Sequence, residues 1–134
     1  MTRRSLWLLL TGFLVAVVTF GATEVQAGEI QPFAQAAFER AQADGKAILV
    51  TVHADWCPVC KRMKPVEEAL LKDAKFNNVV AFMVDFDRQP DALKLLKVTS
   101  QATQVVFKGS KEVGRHSFVT DRAKMAELLI RASS

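Results

Sequence analysis

Cysteine is scarce in this chain: there are two in 134 residues, at positions 57 and 60. A pair so close in sequence closes too short a loop to staple a fold, so a small disulfide-built scaffold is excluded and a chemical purpose for the pair is favoured. A run of ~20 apolar residues long enough to span a membrane is also missing; the longest, Leu6 to Phe20, has 15 residues and is interrupted by Thr and Gly. Charge of one sign is lacking as well. The formal balance is +4 and scattered along the chain, which gives no basis for a nucleic-acid partner. No internal repeat, low-complexity tract or linker divides the sequence, and its length suits one domain.

The N-terminal segment does not belong to that domain. Arg3 and Arg4 precede the apolar run, and Val25-Gln26-Ala27 presents the small-x-small pattern of a signal peptidase site. Residues 1–27 are therefore expected to be an export signal, with the bacterial periplasm as destination. Retention of residues 6–20 as an anchor is the alternative. Thr2-Arg3-Arg4-Ser5-Leu6 also weakly resembles a twin-arginine signal, although a general secretory signal suffices. Removing residues 1–27 lowers the formal charge from +4 to +3 and leaves residues 28–134, enough to bury a core without structural disulfides.

Helical and strand patterns alternate through the remainder. Pro32 is expected to open a helix with Ala34, Ala37, Phe38 and Ala41 on one face, stopped by Asp44-Gly45. Ile48 to Val52 is β-branched and apolar throughout, as a strand covered on both faces would be. A second helix begins at the cysteines, with Met63, Val66 and Leu70 on one side and a kink expected at Pro65. Val79 to Val84 reads as another buried strand, followed by Asp85-Phe86-Asp87 and a short helix over Asp91 to Lys97. Val105 to Phe107 and Val113 to Phe118 flank the turn-forming stretch 108–112 as a hairpin. A last helix, capped by Thr120 or Asp121, carries Met125, Leu128, Leu129 and Ala132 on one face. The expected fold is α/β, in the order α-β-α-β-α-β-β-α: a mixed sheet of four to five strands, with helices on both faces. The phenylalanines are most economically core.

Trp56-Cys57-Pro58-Val59-Cys60 falls where a buried strand hands over to a helix. Cys57 takes the N-cap, where its sulfur can face the free N–H groups of Val59 and Cys60. Those donors, with the positive helix end, should hold the Cys57 thiol below the ~8.5 of a free cysteine. Pro58 at the first helical position loses nothing, because its missing N–H would be unpaired there. Cys60, one turn on, can close a disulfide with Cys57. The expected chemistry is attack by Cys57 on a partner's disulfide and release of that partner by Cys60. A zinc half-site and an inert buried pair are the alternatives.

These residues resemble the thioredoxin family over most of residues 30–132. The strand Ile48-Leu49-Val50, the stretch Ala54-Asp55-Trp56-Cys57, Cys60-Lys61, Pro65, Val84-Asp85-Phe86-Asp87 with Pro90, and Thr103 to Gly109 carry the likeness. His53-Ala54-Asp55-Trp56-Cys57 is also similar to the thioredoxin-like domain of membrane-linked periplasmic reductases. The resemblance implies a thioredoxin-like fold and a thiol–disulfide oxidoreductase with no cofactor, whose partners are protein thiols and disulfides. A monomer is expected, with a membrane electron donor as a further partner.

Three positions depart from the family pattern. The family's cis-proline, which pairs its loop with substrate backbone and keeps metal from the sulfurs, is matched by Ala102, just before Thr103. A cis bond before a non-proline residue costs ~2.5–4 kcal/mol, so the Gln101–Ala102 peptide should be trans. The family's buried aspartate is matched by Thr51 and its lysine companion by Met83; a buried charge without its partner is costly, so the loss of both together leaves a quieter core. Proton transfer from Cys60 would then use water or Asp55. A family tryptophan is matched by His53, whose protonated ring could lower the Cys57 pKa or could simply pack at the strand end.

The leading expectation is dithiol–disulfide exchange outside the cytoplasm, slightly favouring the reducing direction. Cys57, Cys60 and His53 as a Cu(I) or zinc site are a second reading. A non-catalytic scaffold docking partners around Trp56 is a third. Lys61, Arg62 and Lys64 read as a solvated helix face, and His116, expected to be exposed, is given no role.

Overall fold

The computed structural model describes residues 26–134. The expected signal at 1–27 lies outside the described residues except for Gln26 and Ala27, as does the alternative anchor at 6–20.

Nine elements follow in the order β1 (Ile30–Pro32), α1 (Gln35–Ala43), β2 (Ala47–His53), α2 (Pro58–Leu71), β3 (Val80–Asp85), α3 (Pro90–Leu96), β4 (Thr103–Lys108), β5 (Lys111–Ser117) and α4 (Arg122–Ser133). They form a thioredoxin-like fold with a five-stranded sheet ordered β1-β3-β2-β4-β5. β1 and β2 run parallel to β3, while β4 is antiparallel to both β2 and β5. The first strand corrects the sequence reading. Pro32 ends a short strand instead of opening a helix: its neighbours Ile30 and Gln31 pair with Ala81 and Phe82, and the Phe33 N–H continues onto the Met83 carbonyl at 2.8 Å. An edge strand tolerates proline, which cannot donate to a ladder on both sides. The helix therefore begins three residues later, with Ala34 as its N-cap.

The two faces of the sheet follow from the side-chain alternation of β2, β3 and β4. Ile48, Val50, Val52, Phe82, Val84, Val105 and Phe107 point towards α1 and α3, where Phe38 and Leu96 close a core. Phe33, Phe38, Phe82 and Phe107 meet there at centroid distances of 5.2–6.2 Å, edge-on or tilted. Leu49, Ala81 and Val106 point the other way, towards Met63, Leu70 and Leu71 of α2 and Met125, Leu128, Leu129 and Ala132 of α4. Asp121 caps α4, accepting the Lys124 N–H at 2.9 Å. Phe118 departs from the expectation for phenylalanine, standing exposed beyond β5.

The hairpin is tighter than expected. β4 and β5 leave only Gly109 and Ser110 between them, with Gly109 at φ +59°, a conformation that glycine takes without strain. The register shifts between Val106 and Phe107, a bulge that increases local twist. Gly114 of β5 lies close against α4: a Cβ there would stand 2.7 Å from Leu128 Cδ1, in a side chain that the core already holds. Gly114→Val is expected to destabilise the protein by about 1–3 kcal/mol through overpacking. This would appear as a lower urea midpoint at unchanged m-value, whereas an unchanged midpoint would show a loose β5–α4 contact.

Candidate active site

β2 delivers the cysteine motif. Its neighbouring connections run over opposite faces of the sheet, so the carboxyl end of β2 opens into a crevice where α/β sheets commonly place their chemistry. The chain turns through Ala54-Asp55-Trp56, closed by a 3.1 Å bond from the Cys57 N–H to the Ala54 carbonyl, and enters α2 at Pro58. Cys57 is the N-cap in an extended conformation, and its sulfur accepts the Cys60 N–H at 3.2 Å. Both cysteines are free thiols and both are 2% exposed.

The two sulfurs are driven apart electrostatically. Burial pushes the Cys57 thiol up, but hydrogen bonds from the Cys60 side chain, the Cys60 and Val59 backbone N–H groups and the Gln101 side chain outweigh it and hold the thiol below its ordinary value. Burial pushes Cys60 up to about 11, reinforced by the neighbouring Cys57. One sulfur is thus prepared as a thiolate and the other is kept as a thiol.

The loop facing the cysteines is built around Ala102. No described peptide bond is cis, so the Gln101–Ala102 bond is trans; Ala102 instead takes a left-handed φ of 56°. Its N–H bonds the Val52 carbonyl at 2.8 Å, and its own carbonyl accepts the Phe118 N–H at 2.8 Å, with Phe118 likewise left-handed at φ 58°. Left-handed backbone costs a non-glycine residue roughly 1–2 kcal/mol, and Ala102 carries that strain in the loop facing the sulfurs. Thr103 anchors the loop from below. It is buried, its hydroxyl donating to the Ser100 carbonyl at 2.9 Å and lying 2.8 Å from the Ser117 hydroxyl.

The remaining sequence candidates divide. Trp56 is 57% exposed; its indole N–H donates to Asp87 at 2.9 Å and its ring meets Phe86 edge-on, so it borders the sulfurs as a fixed apolar wall. His53 is not turned to Cys57. Its Nε2 lies 3.4 Å from Asp55, and both residues line a cavity of about 610 Å³ between β1, β3 and α2 that also contains Met83 and Asp85. Asp55 is 90% exposed, which ill suits it to take a proton from a buried sulfur. Lys61, Arg62 and Lys64 are solvated, as expected. Among the described residues no three His, Cys, Asp or Glu side chains converge, so the Cys57, Cys60 and His53 metal set is not assembled.

Two features escaped the sequence reading. Gln101, whose side chain helps hold the Cys57 thiol below its ordinary value, was visible only as one half of a peptide bond. The second is a buried acid that the sequence reading did not single out. Thr51 does stand where an acid was missing, but Glu67 of α2 reaches it: the Thr51 hydroxyl donates to Glu67 Oε1 at 2.5 Å, and the Gln104 amide donates to the same oxygen. Gln104 in turn bonds His116, which is half-buried in this row and not exposed as expected. Cys60, Met63, Glu67 and Leu70 recur at helical spacing on the buried face of α2, and that periodicity was the available signal.

Comparison with known proteins agrees with this architecture. The sequence model of the Thioredoxin family matches residues 29–131. A thioredoxin of Chlamydia trachomatis is 33% identical over 100 residues, 75% of this chain and 95% of its own length. Thioredoxin H2 of Arabidopsis thaliana is 30% identical over 72% of this chain and 75% of its own. Among solved structures, Trxlp from Edwardsiella tarda superposes with a TM-score of 0.73 at 36% identity, covering 75% of this chain and 98% of that one.

The site predicts its own titration. Alkylation of the dithiol protein should rise with pH through a Cys57 midpoint below that of a free thiol. Gln101→Ala, removing one donor to the thiolate, is expected to move that midpoint upward by about half a pH unit to one unit. An unmoved midpoint in a folded variant would remove Gln101 from the site.

Proposed function

The chain belongs to the thioredoxin family, whose members are thiol–disulfide oxidoreductases acting on protein disulfides, and we propose that Cys57 attacks and Cys60 resolves in this chemistry. The observation that carries the assignment is the 3.2 Å bond from the Cys60 N–H to the Cys57 sulfur at the N-cap of α2. It stabilises the thiolate at one position only.

In the reducing direction, the Cys57 thiolate attacks one sulfur of a partner disulfide, forming an S–S bond to it and expelling the other partner sulfur as a thiolate. Cys60 then gives up its proton and attacks Cys57 Sγ, releasing the second partner sulfur. Two electrons pass to the partner and Cys57–Cys60 becomes the disulfide, which a dithiol donor must reduce again. Cys60, held as a thiol up to about pH 11, adds no thiolate stabilisation to the reduced form and so supports the reducing direction. Arg3, Arg4, the apolar run 6–20 and Val25-Gln26-Ala27 support action outside the cytoplasm, and we propose a monomer recharged from a membrane donor. The exposed Trp56 suits the docking of partner polypeptide beside the sulfurs.

Cys60→Ser should accumulate mixed disulfides that dissolve on adding a thiol, and Cys57→Ser should accumulate none. An equal yield from the two variants would reverse or abolish the assignment. Equilibration with glutathione should leave the wild-type couple more reducing than glutathione, and a more oxidising couple would overturn the direction. N-terminal sequencing of the exported protein should begin at Gly28.

A further inference from the structure

Arg115 of β5 stands opposite Val105, on the sheet face that α3 covers. Its guanidinium forks onto Glu112 of the same strand, Nε donating to Oε1 at 2.6 Å and Nη2 to Oε2 at 2.8 Å. The rest of the fork is aimed at α3: Nη2 also donates to the Leu96 carbonyl at 3.1 Å, and Nη1 to the Lys97 carbonyl at 3.0 Å. Both side chains of the ion pair are 36% exposed, so the attraction itself adds little stability. Its effect is geometric. The carboxylate fixes the plane of the guanidinium, and that plane directs the remaining N–H groups.

The end of α3 needs such a tie. Lys97 closes the helix at a left-handed φ of 53°, a place usually taken by glycine. The Lys97 and Val98 N–H groups turn back onto the carbonyls of Lys94 and Leu93, at 3.2 and 2.9 Å. The last carbonyls of a helix have no partner within it, and those of Leu96 and Lys97 are met by Arg115 instead.

Only residues 98–102 separate this closure from β4. They carry the two contacts made to the sulfurs from outside α2 and the turn before it. The Gln101 side chain helps hold the Cys57 thiol down, and the Ala102 backbone acts on Cys60 in the same sense. Downstream, Ala102 is fixed by its bonds to the Val52 carbonyl and the Phe118 N–H. Upstream, the loop is fixed where Arg115 grips the end of α3. We propose that Arg115, oriented by Glu112, is a positioning residue for the cysteine pair: by fixing the carbonyls that end α3, it sets the loop that lays Gln101 and Ala102 against the sulfurs.

This inference rests on Cys57 being the attacking sulfur. Its test is the alkylation of Cys57 against pH in the full dithiol chain. Arg115→Ala should raise the midpoint by about half a pH unit, equivalent to about threefold less thiolate at a given pH below it. Arg115→Lys should raise it as much, because an ammonium keeps the charge but cannot fork. Glu112→Gln separates the causes by sign. Loss of a negative charge alone would lower the midpoint, whereas loss of the guanidinium's orientation raises it. In a Gln101→Ala background the Arg115→Ala shift should largely vanish, since both changes act through the same contact.

Rescue by lysine, a lowered midpoint in Glu112→Gln, or a fully additive double variant would each overturn the proposal and leave Arg115 as a distant charge. An unmoved midpoint in folded variants would overturn it too, leaving a purely structural tie. If Arg115→Ala fails to fold, Glu112→Gln still decides. A wild-type Cys57 that titrates like a free thiol would remove the proposed function and this inference together. A low wild-type midpoint that none of these variants moves would remove only the inference.

Discussion

The hydrogen bond from the Cys60 amide to the Cys57 sulfur is the constraint to which the rest of the site answers. It exists because β2 ends where α2 begins, so that the first free N–H groups of a helix meet a side chain able to accept them. Pro58 secures the turn without using a donor that the sulfur needs. The same geometry buries Cys60 one turn inward, where burial and its neighbour hold it as a thiol. A single local motif therefore makes two chemically identical side chains into a nucleophile and a reserve. Their difference is kept by hydrogen bonds to one sulfur and by burial of the other.

The surrounding structure carries the costs of that arrangement. Ala102 and Phe118 hold unfavourable backbone angles and brace each other through one hydrogen bond, tied to the sheet at Val52 and secured by Thr103. Glu67 sits in the apolar layer beneath, on a row that runs from Thr51 through Gln104 to His116. A buried carboxyl with one unsatisfied oxygen is destabilising in isolation. It lies on the buried stripe of α2 with Cys60, Met63 and Leu70.

Most of the frame was legible because it follows short-range rules. The β-branched run at 48–52, the proline after an N-cap cysteine, the capped stripe of α4 and the hairpin at Gly109 each announce an element locally. β1 was not legible: three residues ending in proline have no periodicity to read, and only pairing with β3 makes them a strand. The second polar layer was hidden for another reason. Thr51, Glu67, Gln104 and His116 are separated along the chain and become neighbours only through strand register and helix packing. Position 51 carries a threonine, and the acid approaches it from α2. His53 failed in the converse way, close to the cysteines in sequence but turned towards Asp55 and the groove.

The central claim, that one helix terminus splits a matched pair of sulfurs, is tested most directly by following thiolate ultraviolet absorbance of the dithiol protein against pH. The account predicts two well-separated steps, one thiolate appearing below the ~8.5 of a free cysteine and the second only near pH 11. Two thiolates rising together around the value of a free cysteine would contradict it.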